Sequence, residues 1–126
     1  MAIVALGMDL VKVERLQRLL EKRGDAFLER VFTPGERADC PGEQAAAEFY
    51  AGRFAVKEAV LKVLGTGWGT GIHWREVEVQ RNAAGAPSVT LSGSALERAQ
   101  QIGVQQLHVT ITHDAGLAAA MAVGER

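Results

Sequence analysis

Glu58 and Lys62 stand four residues apart in the stretch Phe54-Ala55-Val56-Lys57-Glu58-Ala59-Val60-Leu61-Lys62, which is otherwise almost wholly apolar. Apolar residues recur on every side from 50 to 64, a pattern that predicts a buried helix. On such a helix the two side chains rise from one face as neighbours. Carrying a carboxylate and an ammonium out of water costs several kcal/mol per ion unless each finds partners. The pair is therefore either a structural ion pair or part of a site for a charged ligand. Asp9 supplies a second carboxylate, placed directly after an apolar run and a glycine. It reads either as the N-cap of a following helix or as a partner of Glu58. Two converging carboxylates repel unless they share a proton or hold a cation. Mg²⁺ commonly takes one or two protein carboxylates and fills its other positions with water and phosphate oxygens. Lys62 beside such a phosphate would neutralise developing negative charge; the plain alternative is a surface pair worth about 0.2–0.5 kcal/mol. Arg53 and Lys57, also four apart, fall on an adjacent face within reach of phosphate or solvent.

Gly65-Thr66-Gly67-Trp68-Gly69-Thr70-Gly71 places four glycines in seven residues. The run follows the helix instead of opening one, so neither the P-loop nor the dinucleotide-binding fingerprint applies. It reads as a turn, or as bare backbone against which an extended ligand can lie, with Thr66 and Thr70 supplying hydroxyls. His113 ends a strand between Thr112 and Asp114, either as a satisfied polar residue or as a working group. There is no HxxxH spacing, no cysteine beyond Cys40 and no Gly-x-Ser-x-Gly. A transition-metal site and a serine-type triad therefore lack support. Arg15, Arg18 and Lys22 fall at spacings of three and four and form one basic stripe. That stripe is a solvated helix face or a docking surface for an acidic partner.

The elements that must position these groups follow from periodicity and turn chemistry. Residues 3–6 read as a short buried strand halted by Gly7-Met8-Asp9. A helix is expected over about 13–23, with Leu16, Leu19 and Leu20 inward and Gly24 as its stop. Residues 25–30 add a further turn. Thr33-Pro34-Gly35-Glu36 has the cap, proline and reciprocal glutamate of a helix start, and Cys40-Pro41-Gly42 ends that helix early. The long helix runs from about 43 to 64, where Gly52 implies a close-packed neighbouring backbone. Residues 76–80 and 88–91 are strands joined by a turn. Ser94 with Glu97 predicts a capping box for a helix closed by Gly103. Alternation over 107–112 gives a half-buried strand. Residues 117–123 are alanine-rich and favour helix by propensity, yet the turn Asp114-Ala115-Gly116 asks for a hairpin partner, so we read them as a strand.

At 126 residues, with 48% apolar and 23% charged residues, the composition is that of one globular domain over 1–126. Lys plus Arg total 14 against 15 Asp plus Glu, which disfavours a general nucleic-acid binder. No run reaches transmembrane length, and the apolar N-terminus is too short for a signal peptide and lacks a basic leader. A cytoplasmic α+β protein is expected, with no membrane or nucleic-acid partner.

These residues, in this order, resemble the holo-acyl-carrier-protein synthases, the small phosphopantetheinyl transferases of bacterial fatty acid synthesis. Gly7-Met8-Asp9-Leu10-Val11 is similar to the family's Gly-x-Asp motif, and Phe32-Thr33-Pro34-Gly35-Glu36 to its Thr-Pro-x-Glu segment. Gly52 to Lys62 running into Gly65-Thr66-Gly67 resembles its signature helix and loop, and Val109-Thr110-Ile111-Thr112-His113 its closing Ser-x-Ser-His strand. The departures are Met8 for isoleucine or valine, Lys12 for glutamate, and Thr110 and Thr112 for serines, which keep their hydroxyls. The resemblance implies a small antiparallel sheet packed on a long central helix. It also implies transfer of the 4'-phosphopantetheine arm of coenzyme A to a serine of apo-acyl carrier protein. By motif, Asp9 and Glu58 would hold Mg²⁺ and Lys62 would contact the coenzyme diphosphate. Arg53, Gly65, Thr66, Thr112 and His113 would lie along the coenzyme, and Arg15, Arg18 and Lys22 would meet the carrier. Family members are typically homotrimers with sites between subunits. The rival from another class is a non-catalytic scaffold with Glu58–Lys62 as a structural ion pair.

Overall fold

In the computed structural model, which describes residues 1–67 and 71–126, the first strand does not stop at Gly7. Strand β1 spans Ile3–Lys12 and carries Asp9 inside it. The glycine has a different task from the expected turn. A Cβ at position 7 would lie 2.0 Å from the Ala59 carbonyl oxygen, so only glycine lets this strand cross the long helix at backbone contact. Asp9 is consequently not an N-cap. Helix α1, Val13–Arg23, starts after Lys12 without a side-chain cap and ends at Gly24, which has a positive φ of 52°.

Two short helices follow, α2 over Asp25–Val31 and α3 over Pro34–Ala38. The predicted capping box of α3 is present: the Glu36 N–H donates to Thr33 Oγ1 at 3.1 Å, and the Thr33 N–H to Glu36 Oε1 at 2.8 Å. The long helix opens with a 3-10 turn, Glu43–Ala45, before α4 proper, Ala46–Leu64. Strands β2 (Val77–Arg81) and β3 (Pro87–Leu91) form the expected hairpin. Its turn is held by Asn82 Oδ1, which accepts the Ala84 and Ala86 N–H groups.

Helix α5, Gly93–Ile102, corrects the expected Ser94–Glu97 box. Its N-cap is Ser92, and the carboxylate that receives the Ser94 N–H, at 3.0 Å, belongs to Glu76. A cap delivered from another segment leaves no trace in local spacing.

Strands β4 (Gln106–Asp114) and β5 (Leu117–Glu125) complete an antiparallel sheet of order β1-β5-β4, so the alanine-rich segment is a strand. Small residues there let α4 approach: Ala118, Ala120 and Ala122 are buried, and a Cβ on Gly124 would come within 2.7 Å of a Val63 methyl. The register sets Gly7, Ala122 and Val109 side by side, then Asp9, Ala120 and Ile111, then Val11, Ala118 and His113. Side chains alternate across a strand, so this whole set faces α4. The opposite face carries Leu6, Met8, Leu10, Met121, Thr110 and Thr112, with Leu6, Met8 and Leu10 more than half exposed. Gly52 is closed upon by side chains of β4 instead of by a backbone: a Cβ there would meet His113 Nε2 at 3.0 Å and Ile111 Cγ2 at 3.1 Å. The fold is α+β, a small antiparallel sheet on one long central helix.

Candidate active site

From Phe49 to Leu61 every residue of α4 is buried except Glu58, and Lys62 is the next residue to reach solvent. Helical spacing puts Glu58, Lys62 and Gly65 on one stripe. The buried helix thus opens along a single line, and Asp9 comes to it. The Lys62 ammonium donates to the Met8 carbonyl at 2.7 Å and to Asp9 Oδ1 at 3.3 Å, with the lysine side chain 55% exposed and that of Asp9 20%. Lys62 is therefore not a buried charge, which corrects the expectation drawn from its apolar surroundings.

The crossing at Gly7 is what makes this possible, because the strand backbone lies directly on the helix that carries Glu58 and Lys62. Among the described residues no three His, Cys, Asp or Glu side chains converge to enclose a metal. Two carboxylates, from Asp9 and Glu58, are a hard oxygen donor set that suits Mg²⁺ with water and phosphate completing its shell. The residues present fit that ion.

The C-terminal end of α4 extends the site. Gly65 closes the helix in the left-handed conformation at φ 72°, and Arg98 of α5 donates to the Leu64 carbonyl at 2.9 Å. Thr66 Oγ1 is buried and has no hydrogen-bond partner among the described residues. A buried hydroxyl is costly to leave unpaired, so a ligand group meeting it there would relieve that cost. It borders a polar pocket of about 340 Å³ that Arg98 and Glu97 also line. Sequence reasoning missed Arg98, which no spacing ties to the signature helix. Thr70 lies outside the described residues.

Arg53 and His113 form a second cluster at the other end of α4. His113 Nε2 lies 3.0 Å from the Glu48 carbonyl oxygen, and both residues line a pocket of about 230 Å³ with Arg81 and Glu48. Arg53 stacks over the Phe49 ring at 4.1 Å. Burial, with Arg81 nearby, lowers the pKa of its guanidinium. Arg53 and Lys62 are nine residues apart, about 14 Å along a helix. Thr112 projects from the opposite face of the sheet. The expected coenzyme residues thus fall into separate groups within one chain.

The docking stripe is also redistributed. Arg18 pairs with Glu14 in solvent, and Lys22 is exposed. Arg15 instead lies over the Phe54 ring at 5.3 Å and joins Arg23 and Arg30 around a cavity of about 460 Å³, walled by Phe27, Phe54 and Trp74. Arg23 is eight residues from Arg15 and could have been read from helical period; Arg30, on a separate helix, could not.

Helix α4 also carries a buried ion pair, through Lys57. Lys57, expected near phosphate or solvent, is fully buried with Glu36 at 2.9 Å. Desolvation lowers the lysine's pKa, and the Glu36 charge opposes that shift. Its partner stands 21 residues upstream, which local spacing does not reveal.

Against known proteins, the family described as the 4'-phosphopantetheinyl transferase superfamily matches residues 5–122. The chain is 47% identical over 126 residues to a holo-acyl-carrier-protein synthase of Anaeromyxobacter sp. (strain K), covering 98% of this chain and 96% of that one. Identity is 42% to the Solibacter usitatus synthase, over 98% of both chains. Among solved structures, the Neisseria meningitidis synthase superposes with a TM-score of 0.87 at 30% identity, over 99% of this chain and 100% of that one. The Helicobacter pylori synthase in complex with coenzyme A gives 0.84 at 31%, over 96% and 100%.

Proposed function

Because the chain belongs to the 4'-phosphopantetheinyl transferase superfamily, we propose that it transfers the 4'-phosphopantetheine arm of coenzyme A to a serine hydroxyl of apo-acyl carrier protein. Adenosine 3',5'-bisphosphate leaves. A new bond forms between the serine oxygen and the phosphorus bearing the pantetheine arm, and that phosphorus parts from the bridging oxygen of the diphosphate. The observation that carries this reading is the meeting of Asp9 with Lys62 where the C-terminal half of α4 opens to solvent. The setting is fatty acid biosynthesis in the cytoplasm, and residues 1–126 act as one transferase domain. Among the described residues no helix is long and apolar enough to cross a membrane.

Phosphoryl-group transfer asks a protein mainly for positioning and charge neutralisation. Asp9 and Glu58 would hold Mg²⁺, which supplies charge neutralisation at the coenzyme diphosphate when bound. Lys62 stabilises the negative charge gathering on the departing phosphate. Glu58, or a water beside it, accepts the serine proton. Gly65 offers bare backbone and Thr66 an unpaired hydroxyl to the coenzyme, while Arg53 and His113 bring positive or polar groups to its other end. The arginine-rimmed cavity beside Arg15 receives the acidic carrier, with Arg18 and Lys22 at its margin.

The separation between the Arg53–His113 cluster and Lys62 favours a site completed by a neighbouring copy, and so does the placement of Thr112 on the outer sheet face. The apolar outer face of β1 and β5 is suited to cover that copy, consistent with a homotrimer.

The test is to incubate the purified protein with coenzyme A, Mg²⁺ and apo-acyl carrier protein and weigh the carrier. A gain of one phosphopantetheine group is expected. No gain alongside an active control would remove this reading.

A further inference from the structure

An ammonium has three donors, and Lys57 spends all of them inside the protein: on Glu36 Oε1 at 2.9 Å, the Trp74 carbonyl at 3.0 Å and the Val77 carbonyl at 2.6 Å. Glu36 is equally committed. Its Oε1 also accepts the Thr33 N–H at 2.8 Å, and its Oε2 the Val79 N–H at 2.8 Å. Neither side chain has measurable exposure. These two groups therefore bind α3, the 3-10 turn Trp74–Glu76 and strand β2 to the middle of α4.

Stability alone is a poor reason for such a pair. Well-packed apolar residues of similar volume often serve a buried site as well or better, whereas a pair with directed bonds fixes one geometry. What the geometry fixes is visible one step outward. The Trp74 backbone is held by Lys57, and its indole stacks on Phe54 with ring centroids 4.9 Å apart and planes 24° apart. Phe54 stands three residues before Lys57 on the same helix, under the guanidinium of Arg15. Trp74 and Phe54 together wall the cavity ringed by Arg15, Arg23 and Arg30.

We propose that the buried Glu36–Lys57 pair is a positioning device for carrier docking: it holds the Trp74 backbone so that the indole and Phe54 present a fixed apolar wall beneath the arginines. Lys57 and Glu36 touch neither substrate. This inference rests on the carrier-docking reading above, and it separates them in effect from Asp9, Glu58 and Lys62, which act at the coenzyme.

The experiment is steady-state kinetics with each substrate varied in turn, on Lys57→Met, Lys57→Gln, Trp74→Ala and the Lys57→Met/Trp74→Ala double variant. Truncating a residue of a docking pocket weakens the partner it serves. Lys57→Met, Lys57→Gln and Trp74→Ala should each raise the carrier KM by about tenfold, with kcat and the coenzyme KM within about twofold of wild type. The double variant should be no worse than Lys57→Met alone, because residues acting as one unit are not additive. In a Trp68→Phe background, the Lys57 variants should shift the Trp74 emission to the red.

An unchanged carrier KM in Trp74→Ala overturns the proposal, whatever the Lys57 variants do. So do equal rises in both KM values, additive losses in the double variant, or Lys57 variants that do not fold, since each assigns the pair to the fold alone. A wild-type protein that modifies no carrier instead removes the proposed function itself, so the two failures are told apart.

Discussion

Lys62 Nζ lies 3.3 Å from Asp9 Oδ1, a contact between residues 53 apart in the chain. It joins the edge strand of the sheet to the solvent-facing line that Glu58 and Lys62 make on a largely buried helix. An anionic ligand with its metal would enter a place where a cation already offsets a carboxylate. That arrangement motivates the first prediction: Asp9→Asn and Glu58→Gln should each lower carrier modification by about a hundredfold or more, with circular dichroism unchanged. The loss should be partly relieved at raised Mg²⁺ for Asp9→Asn. Activity equal to wild type across Mg²⁺ concentrations would end the metal role.

The crossing that creates this contact is testable on its own. Gly7→Ala introduces a Cβ 2.0 Å from the Ala59 carbonyl oxygen, a backbone atom that cannot turn aside. Overpacking of this kind costs about 1–3 kcal/mol or more. Urea unfolding should show the midpoint falling accordingly; a midpoint matching wild type would contradict the close approach.

Charge reversal should separate the arginines of α1. Arg15 lies over Phe54 at the cavity, whereas Arg18 pairs with Glu14 in solvent. Arg15→Glu is expected to raise the carrier KM by about tenfold or more, Arg18→Glu by much less, and neither to change the coenzyme KM appreciably. Equal effects of the two on the carrier would return the docking surface to a general basic stripe.

The oligomer can be probed through the central strand. Met121 lies on the outer face of β5, flanked in register by Met8 and Thr110. Met121→Asp buries a charge in any interface formed there. Sedimentation should show wild type as a trimer and the variant as smaller, with carrier modification lost in parallel. A monomeric wild type with full activity would remove the shared-site reading.

A pH dependence follows from Tyr50. Burial, with Cys40 beside it, pushes this phenol from 10.0 up to about 12. Between those values the unfolded phenol has released its proton while the folded one keeps it. The unfolded chain then binds fewer protons, so this group's stability contribution is complete below pH 10.0 and is lost as pH rises towards 12. Tyr50→Phe should lose less stability than wild type across that window, as followed by urea midpoints at stepped pH. Parallel curves would show that the phenol is not held back.

Much of this arrangement was legible in the chain. Glu58, Lys62 and Gly65 share a stripe because a helix has a known period, and the apolar residues around them fixed that helix as central. The cap at Thr33–Glu36 and the stop at Gly24 are local devices, so local sequence displays them. Residues 117–123 came out as a strand because a turn and a preceding strand constrained them, despite alanine's preference for helix.

Other features depended on contacts between distant segments. Gly7 looks like a strand terminator, since a glycine in a turn and a glycine under a helix are the same letter; only the Ala59 carbonyl distinguishes them. Lys57 and Lys62 are both lysines on one apolar helix, five residues apart. One is sealed by Glu36 and the carbonyls of Trp74 and Val77 and the other meets Asp9 at the surface, because each side of a helix acquires its surroundings from whatever packs there. Periodicity states which residues share a face. Which face is covered, and by what, is settled only when the sheet and the short helices close around α4.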